Sequence, residues 1–264
     1  MNKKLKNGAI WLANTLYNRT ARQLSPRCRL SRDPLRAMNE YFDAVWVLTI
    51  SRNAQRRTHI DRQFQGLRFE YFEGVDGGTI TESDPRVDFR RASEKNGRPF
   101  KLNEAACALS HVSMLQAIVD QGLKRALIFE DDAALVAKAS PWIPYCLERL
   151  PDDWELFYLG YRDGELRGYL REFQERFGRP RNAEEVVSRT VGRGLRTAAG
   201  HELIHAYAVT RPGALKLLQG VYPIRDVADG WIEEKVLTRK INAYISIPKI
   251  FVQQSDLGSS IHGS

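Results

Sequence analysis

The sequence has little that would build a disulfide-stabilised, zinc-binding or membrane-spanning fold. It contains three cysteines among 264 residues, at positions 28, 107 and 146. Because none of them forms a CxxC pair, a disulfide framework and a structural zinc site are disfavoured, and a reducing compartment is expected. Uninterrupted apolar runs of about 18 residues are missing, so no transmembrane helix is predicted. These absences predict a cytoplasmic protein.

Short catalytic motifs are also missing. The chain has no GxSxG, no P-loop and no GxGxxG, so no nucleophile elbow, phosphate loop or dinucleotide fingerprint is available. Cys107 and Cys146 lie in apolar helical patterns and are interpreted as buried, inert thiols. Ser110 and His111 lie in the same helical pattern as Cys107, where a single histidine is more often a hydrogen-bonded core residue than a ligand.

Positive charge is concentrated at the N-terminus. The chain has 40 Lys and Arg against 32 Asp and Glu, a net charge of +8. Residues 1–40 hold nine basic residues and two acids, which accounts for +7 of that charge. The rest of the chain is close to neutral. The excess positive charge therefore belongs to an N-terminal arm and does not form a basic face of the fold. We therefore expect no nucleic-acid partner.

This arm, residues 1–40, is predicted to consist of a helix and a linker. Residues 5–24 place apolar side chains on adjacent helical stripes with Lys and Arg beside them. The pattern is typical of an interfacial helix and predicts peripheral contact with an anionic membrane, at the inner face of the cytoplasmic membrane. A helix packed on the domain or a frayed tail is the alternative. Residues 25–40 are predicted to be the linker, and the arm is expected to be retained rather than cleaved as a signal peptide.

Residues 41–264 are predicted to form one α/β domain. Strands are predicted over 44–50, 69–78, 126–129, 155–160, 204–210 and 243–247. Helices are predicted over 53–65, 104–121, 139–149, 211–219 and 230–239, with Asn103 as the cap of the second. Residues 79–101 are expected to be a polar loop, and 162–200 an Arg-rich insertion with a helix at 169–177. Such alternation predicts a sheet centred on parallel strands with helices on both faces, which binds ligands at the carboxyl ends of its strands.

An apolar strand runs directly into three acids, Glu130, Asp131 and Asp132. Neighbouring carboxylates repel one another, and burying them is costly unless something compensates their charge. A divalent cation such as Mg²⁺ or Mn²⁺ would do so, because these ions prefer oxygen ligands. In an extended chain Glu130 and Asp132 project to one side and Asp131 to the other. The first two therefore form a candidate metal site, and a solvated acidic turn is the alternative.

A second acidic pair, Asp226 and Asp229, precedes the helix predicted at 230–239. A helix N-cap is the commonest use of an aspartate in this position, and the spacing alone favours it. The functional alternative is a general base held near the helix N-terminus.

Several stretches, taken together, resemble glycosyltransferase family 25, the lipopolysaccharide-core β-galactosyltransferases that are related to collagen galactosyltransferases. The similar stretches are VLTISRNAQRR (47–57), FEGVDG (72–77), LNEAACALSH (102–111), ALIFEDD (126–132), AYAVTRPGALKLL (206–218), VAD (227–229), and QQS with SI (253–255 and 260–261). Their order and spacing carry the resemblance, and residues 1–40 and 162–200 lie outside it. Thr49 and Ser51 stand where the family has Asn and Asp.

The resemblance implies a GT-A-type fold, a Rossmann-like mixed sheet flanked by helices, and inverting transfer of a hexose from a UDP-sugar, with galactose expected. It implies Mn²⁺ or Mg²⁺ at Glu130 and Asp132, with His262 as a further ligand. Asp229 would be the general base and Asp226 the reserve base. The residues expected at the donor are Arg52, Arg56, Asp76, Asp131, Ser110 and His111. Arg57 follows the same strand as Arg52 and Arg56, and all three arginines could reach a phosphate or the acceptor.

The resemblance also implies a glycan or lipid-linked oligosaccharide acceptor, used in the synthesis of lipopolysaccharide or another bacterial surface polysaccharide. Residues 162–200 would form a lid or acceptor platform, or a solvated insertion. Two alternatives remain open. One is a catalytically inactive member of the fold that serves as a binding module, which the departures at Thr49 and Ser51 favour. The other is a metal-dependent nuclease whose arm binds nucleic acid.

Overall fold

The computed structural model describes residues 29–163 and 188–254, which form a mixed sheet flanked by helices. This confirms the predicted α/β class. The helices are α1 (Pro34–Tyr41), α2 (Ala54–Gln63), α3 (Phe89–Asn96), α4 (Leu102–Asp120), α5 (Trp142–Leu147), α6 (Arg211–Leu218) and α7 (Ala228–Leu237). The strands are β1 (Ala44–Thr49), β2 (Glu70–Glu73), β3 (Arg125–Glu130), β4 (Ala133–Leu135), β5 (Leu156–Asp163), β6 (Thr190–Gly192), β7 (Leu195–Thr197), β8 (His201–Thr210), β9 (Ala243–Ser246) and β10 (Phe251–Gln253).

The strands are ordered β2-β1-β3-β8-β5-β9-β7-β6 across the sheet. Strands β2, β1 and β3 are parallel, whereas β8 is antiparallel to both β3 and β5. Strand β10 connects β5 to the short β4. Strands β1 and β3 are mainly apolar because both of their faces are covered, whereas β2, at the edge, contains exposed glutamates.

Alternate residues of the central strands enter two different core layers. Val47 of β1 and Phe129 of β3 pack in the layer that contains Met38 of α1 and Trp142 of α5. Their neighbours in sequence, such as Trp46, pack in the opposite layer with α4, α6 and α7. This follows from the alternation of side chains along a strand. Helices on both faces thus hold the sheet rigidly behind its carboxyl edge.

Two segments that were expected to be irregular are helical. Helix α1 occupies the end of the expected linker, because Asp33 caps it and Pro34 stands in its first turn. Helix α3 lies within the expected loop 79–101, where Asp88 accepts from the amide of Arg91 and Gly97 ends the helix in a left-handed conformation. Both predictions of irregular structure were therefore wrong. The cap of α4 also differs, since the helix begins at Leu102 instead of after Asn103.

Parts of the predicted organisation lie outside the described residues. These are the helix at 5–24, the helix at 169–177 and the C-terminal residue His262. The end of the expected insertion is described, and there β7 pairs with β9 while β6 pairs with β7. Within 29–163 and 188–254, no helix combines the length and apolarity that a membrane crossing requires.

Parallel pairing brings the ends of β1 and β3 to one edge of the sheet. Leu48 of β1 is paired with Glu130 of β3, so Thr49 and the acids after Glu130 leave the sheet side by side. The carboxyl ends of parallel strands are the usual ligand-binding edge of such a sheet.

Candidate active site

A cleft that is partly open to solvent lies at this edge of the sheet. Its walls come from the ends of β1 and β3, the loop after β2 and the first turns of α4. The residues that line it include Thr49, Arg52, Arg56, Gly74, Gly77, Asn103, Cys107, Ser110, Glu130, Asp131, Asp132 and Gln253.

All three consecutive carboxylates line this cleft. Glu130 ends β3, and Asp131 and Asp132 form the turn that leads to β4. The expectation that Asp131 faces away from its neighbours is wrong, because the chain leaves the extended conformation after Glu130 and strand alternation no longer applies. The cleft therefore concentrates negative charge.

Asp131 is fully engaged by the protein. The hydroxyl of Thr49 donates to Oδ2 at 2.8 Å, and the guanidinium of Arg56 binds Oδ1. Arg56 and Asp131 are 8% and 5% exposed. Their opposite charges are therefore compensated by each other rather than by solvent. Arg56, which was expected at the donor, lines the cleft as the partner of this carboxylate.

Asp132 is only half satisfied. Its Oδ2 accepts from Nε2 of Gln253 at 3.1 Å and lies 3.6 Å from Nη1 of Arg56. Its Oδ1 is buried and has no hydrogen-bond partner within the described residues. Burial and the charge of Glu130 raise the pKa of Asp132 to about 7. A buried carboxylate oxygen without a partner is costly, and a cation in the cleft would remove that cost.

Glu130 contacts a histidine that is packed beneath the cleft. Nε2 of His111 lies 3.3 Å from Oε1 of Glu130, and Nδ1 lies 3.0 Å from the hydroxyl of Tyr207. Burial disfavours the charged form of Glu130, but the hydrogen bond and charge of His111, with His205 and Arg56, hold its pKa below the usual value. His111 is therefore hydrogen-bonded in the core and also next to the acidic cluster.

Three possible ligand atoms converge at this point. Sγ of Cys107, an imidazole nitrogen of His111 and a carboxylate oxygen of Glu130 lie within 4.8 Å of one another. Burial, with the negative charge of Glu130, raises the pKa of the Cys107 thiol well above its usual value. The interpretation of Cys107 as a residue of no chemical interest missed this cluster. The signal available in the sequence was the i, i+4 spacing of Cys107 and His111, which places them on one helix face.

The loop after β2 forms another wall of the cleft. Arg52 forms an ion pair with Asp76, whose Oδ1 also accepts from the amide of Gly78 at 2.9 Å. Ser110 accepts from the amide of Val75 at 2.8 Å and donates to the carbonyl of Ala106 at 2.7 Å. Arg52 and Ser110 line the cleft, whereas Asp76 is not among its lining residues and is connected to it through Arg52. Ser110 links the loop to α4 through its hydrogen bond with Val75.

Arg57 points to a different surface. Its guanidinium lies 3.2 Å from Glu73 and 4.7 Å from the centre of the Tyr71 ring. Ser51 also binds Glu73, through its amide at 2.7 Å. The two positions at which the sequence departs from the family pattern therefore have partners here, because Thr49 binds Asp131 and Ser51 binds Glu73.

Asp229 lies in the first turn of α7, not at its N-cap, which is Val227. Its oxygens accept from the amide of Leu203 at 3.3 Å and from that of Gly230 at 3.1 Å. Burial raises the pKa of Asp229, the hydrogen bond from Leu203 opposes the shift, and the charge of Glu130 adds to it. Asp229 is not among the residues that line the cleft, and it is linked to the acidic cluster through the charge of Glu130.

Asp226 lies in a different environment. It is 2% exposed, lies 2.8 Å from Nζ of Lys95, and accepts from Nδ2 of Asn96 at 3.3 Å and from the amide of Val227 at 2.9 Å. It faces a separate cavity between α3 and α7 that also contains Trp231. The structure therefore does not bring Asp226 to the cleft.

Several known proteins are similar to this chain in sequence. The model of "Glycosyltransferase family 25 (LPS biosynthesis protein)" matches residues 42–232. "Probable inactive glycosyltransferase 25 family member 3" of Rattus norvegicus is 29% identical over 203 residues, which cover 72% of this chain and 32% of the rat protein. "Procollagen galactosyltransferase 1" of Danio rerio is 26% identical over 147 residues, which cover 52% of this chain and 24% of the fish protein.

"Procollagen galactosyltransferase 2" of Homo sapiens is 25% identical over 138 residues, 48% of this chain and 22% of the human protein. The chain therefore spans a third or less of the length of the curated relatives it matches.

Proposed function

The chain belongs to glycosyltransferase family 25, and from this premise we propose that it transfers a hexose from a UDP-sugar to a glycan acceptor in an inverting, divalent-metal-dependent reaction. The observation that carries the proposal is the acidic cluster at the end of β3, which lines the cleft and contains a buried Asp132 oxygen that has no hydrogen-bond partner among the described residues. Family membership favours this activity over the nuclease alternative, which rested on the acids and the basic arm alone.

Glu130 and Asp132 would hold the cation, Mn²⁺ or Mg²⁺, and His262 remains a proposed further ligand. Their oxygens are of the type these ions prefer. The bound cation would stabilise the charge that develops on the leaving UDP. Gln253 orients Asp132 from the opposite side through its 3.1 Å hydrogen bond.

The remaining cleft residues would position the donor. Arg52 is 60% exposed at its side chain and could turn from Asp76 toward a phosphate. Asp131 and Arg56 would form a fixed, charge-compensated wall. Ser110 would act indirectly by holding the loop that contains Asp76, and His111 would act through its contact with Glu130. Fixed groups of this kind lower the cost of organising a bound substrate.

Asp229 would accept the proton of the acceptor hydroxyl as that oxygen attacks the anomeric carbon and the bond from this carbon to the UDP oxygen breaks. Its raised pKa makes it a stronger base than an ordinary aspartate. The amides of Leu203 and Gly230 hold its carboxylate in one orientation. Asp226 is a weaker candidate because Lys95, Asn96 and Val227 already bind it.

Galactose is the proposed sugar, since two of the relatives are named as procollagen galactosyltransferases. The family description refers to LPS biosynthesis, and we propose a bacterial surface polysaccharide or its lipid-linked precursor as the acceptor. Such an acceptor would be extended at the cytoplasmic face of a membrane, where the basic arm, residues 1–40, could contact anionic lipid.

The test is turnover of a panel of UDP- and GDP-sugars with Mn²⁺ and then with EDTA, using lipopolysaccharide-core and lipid-linked oligosaccharides as acceptors. Metal-dependent consumption of one UDP-hexose is expected. Asp132→Asn should lower turnover by about 10²-fold or more, and Asp229→Asn by roughly 10²- to 10⁴-fold with UDP affinity retained. The matched control is Asp152→Asn, an exposed carboxylate outside the cleft. Unchanged turnover in Asp132→Asn and Asp229→Asn would refute the assigned roles.

A second candidate function is a binding module without turnover. It is favoured by the name of the rat relative, "Probable inactive glycosyltransferase 25 family member 3". Metal-dependent binding of UDP in calorimetry, together with no sugar transfer to any acceptor of the panel, would support this alternative. Absence of UDP binding would count against both candidates.

A further inference from the structure

The cluster of Cys107, His111 and Glu130 differs chemically from the carboxylate pair proposed for the donor cation. Cys107 and His111 lie one turn apart on α4, and Glu130 is supplied by the neighbouring end of β3. Their sulfur, nitrogen and oxygen ligand atoms lie within 4.8 Å of one another. Two different elements thus bring three ligand types to one point.

The spacing is close to that of a tetrahedral zinc site. With Zn–S near 2.3 Å, and Zn–N and Zn–O near 2.0–2.1 Å, ligand atoms stand roughly 3.4–3.6 Å apart. His111 Nε2 and Glu130 Oε1 are already 3.3 Å apart. The sulfur lies within 4.8 Å of the other two ligand atoms, so it needs to approach by roughly 1.2–1.4 Å at most, which a rotation about χ1 can supply.

The surroundings supply the orienting contact that zinc-binding histidines usually have. Nδ1 of His111 lies 3.0 Å from the hydroxyl of Tyr207, which is itself fully buried. With a metal on Nε2, Nδ1 carries the proton and donates to this hydroxyl, which fixes the tautomer and the plane of the ring.

We propose that Cys107, His111 and Glu130 bind Zn²⁺, with the fourth coordination position open to the cleft. Cys107 and Glu130 line the cleft and provide the entry path, while His111 forms the floor of the site. The thiolate is the ligand that favours zinc over Mg²⁺ or Mn²⁺, because soft sulfur ligands suit zinc and poorly suit these harder ions. On binding, the Cys107 thiol gives its proton to solvent as the S–Zn bond forms.

The zinc site and the proposed Mn²⁺ or Mg²⁺ site both use Glu130. An ion bound at one of these sites therefore makes Glu130 unavailable as a ligand at the other site. The competition between the two ions rests on the function proposed above. The binding of zinc does not depend on that function, because it is measured without any sugar transfer.

The test uses Co²⁺ as a spectroscopic substitute for Zn²⁺ in full-length, metal-free protein carrying Cys28→Ser, since Cys28 lies outside the described residues. Adding Co²⁺ is expected to produce the charge-transfer absorption of a cobalt–thiolate bond, and Zn²⁺ is expected to remove it. Cys107→Ser should abolish the band. Tyr207→Phe should keep the band and weaken zinc affinity roughly 10- to 100-fold, because it removes only the orienting hydroxyl.

The matched control is Cys146→Ser. Cys146 is a fully buried thiol on α5 whose Sγ lies 3.4 Å from the carbonyl of Gly194, and its loss should leave the band unchanged. Zinc should also raise the melting temperature of the Cys28→Ser protein but not that of its Cys107→Ser derivative. A missing band in the Cys28→Ser protein, or a band that survives Cys107→Ser, would overturn the proposal.

Discussion

Thr49 and Asp131, 82 residues apart in the sequence, are joined by a 2.8 Å hydrogen bond between the Thr49 hydroxyl and Oδ2 of Asp131. Thr49 is 2% exposed and Asp131 is 5% exposed. The bond links the ends of the parallel strands β1 and β3 and, with Arg56, occupies both oxygens of the carboxylate. Asp131 is therefore part of the wall that supports the cleft.

Thr49→Val keeps the shape of this side chain and removes the hydroxyl. We expect the free energy of unfolding to fall by about 1.5–3 kcal/mol, because the lost hydrogen bond is made to a buried charge. Urea denaturation measures the change. The control is Thr58→Val on α2, whose exposed hydroxyl bonds the carbonyl of Ala54 and should shift stability by less than about 0.5 kcal/mol. Equal effects of the two substitutions would contradict this assignment.

Asp132 should make the metal-free protein less stable as the pH rises. Burial and the charge of Glu130 raise its pKa to about 7 in the folded state, against about 3.9 when unfolded. Between these values the folded chain binds the extra proton, so this group's contribution to stability falls as the pH rises, by at most about 1.4 kcal/mol per pH unit. Asp132→Asn removes the effect, and its stability relative to wild type should rise from pH 4 to pH 7 in EDTA.

Urea denaturation of both proteins at several pH values gives this difference directly. Asp152→Asn, at an exposed position, should show a difference from wild type that does not change with pH. The same constancy in Asp132→Asn would mean that the carboxyl is already ionised at pH 4.

Lys95 contacts two carboxylates that should differ in their contribution to stability. Its Nζ lies 2.8 Å from Asp226 and 2.6 Å from Glu234, whose side chains are 2% and 38% exposed. Asp226→Asn should lower the free energy of unfolding by roughly 1–3 kcal/mol because buried donors lose a charged acceptor. Glu234→Gln should cost less than about 1 kcal/mol, as exposed ion pairs do. Thermal or urea denaturation distinguishes the two, and the reverse order would contradict the assignment.

Gly160 of β5 is required by the packing of His205. A Cβ at position 160 would lie 2.3 Å from Nε2 of His205 and 3.1 Å from Cβ of Phe251, both of which are buried. Gly160→Ala should therefore destabilise the protein by about 1–3 kcal/mol through overpacking. Gly192→Ala, where a Cβ meets nothing within 4 Å, is the control and should be close to neutral. Equal stability of the two variants would show that His205 can move aside.

The continuous apolar strands could be predicted well from the sequence. Burial on both faces produces an uninterrupted apolar run, which can be recognised without knowing which residues pack against it. The strand predicted over 44–50 is β1 (Ala44–Thr49), and that predicted over 126–129 lies within β3 (Arg125–Glu130). Helix α3 was missed because its apolar face is short, with Ala92 buried and Phe89 partly buried against the core. Its caps, Asp88 and Gly97, were further local evidence for it.

The candidate site was predictable in part. The three acids after β3 stood out because consecutive carboxylates after an apolar strand are costly without compensation. Their partners could not be found locally, since Arg56 and Gln253 reach Asp131 and Asp132 across 75 and 121 residues of sequence. The alternation of side chains along a strand also gave a wrong prediction for Asp131. The backbone leaves the strand after Glu130, and Asp131 lines the same cleft as its two neighbours.

The position of Arg56 has a kinetic consequence for the proposed reaction. This buried guanidinium pairs with Asp131 and Asp132, and Arg52 is the other arginine that lines the cleft. With Glu130, Asp131 and Asp132 all ionised, the lining therefore retains an excess of one negative charge. The negative potential of the cleft would repel a diphosphate that approaches without a metal ion. It would attract a divalent cation, and the bound cation would then attract the diphosphate. The donor should then enter after the metal or together with it, as a compulsory order of addition rather than a random one.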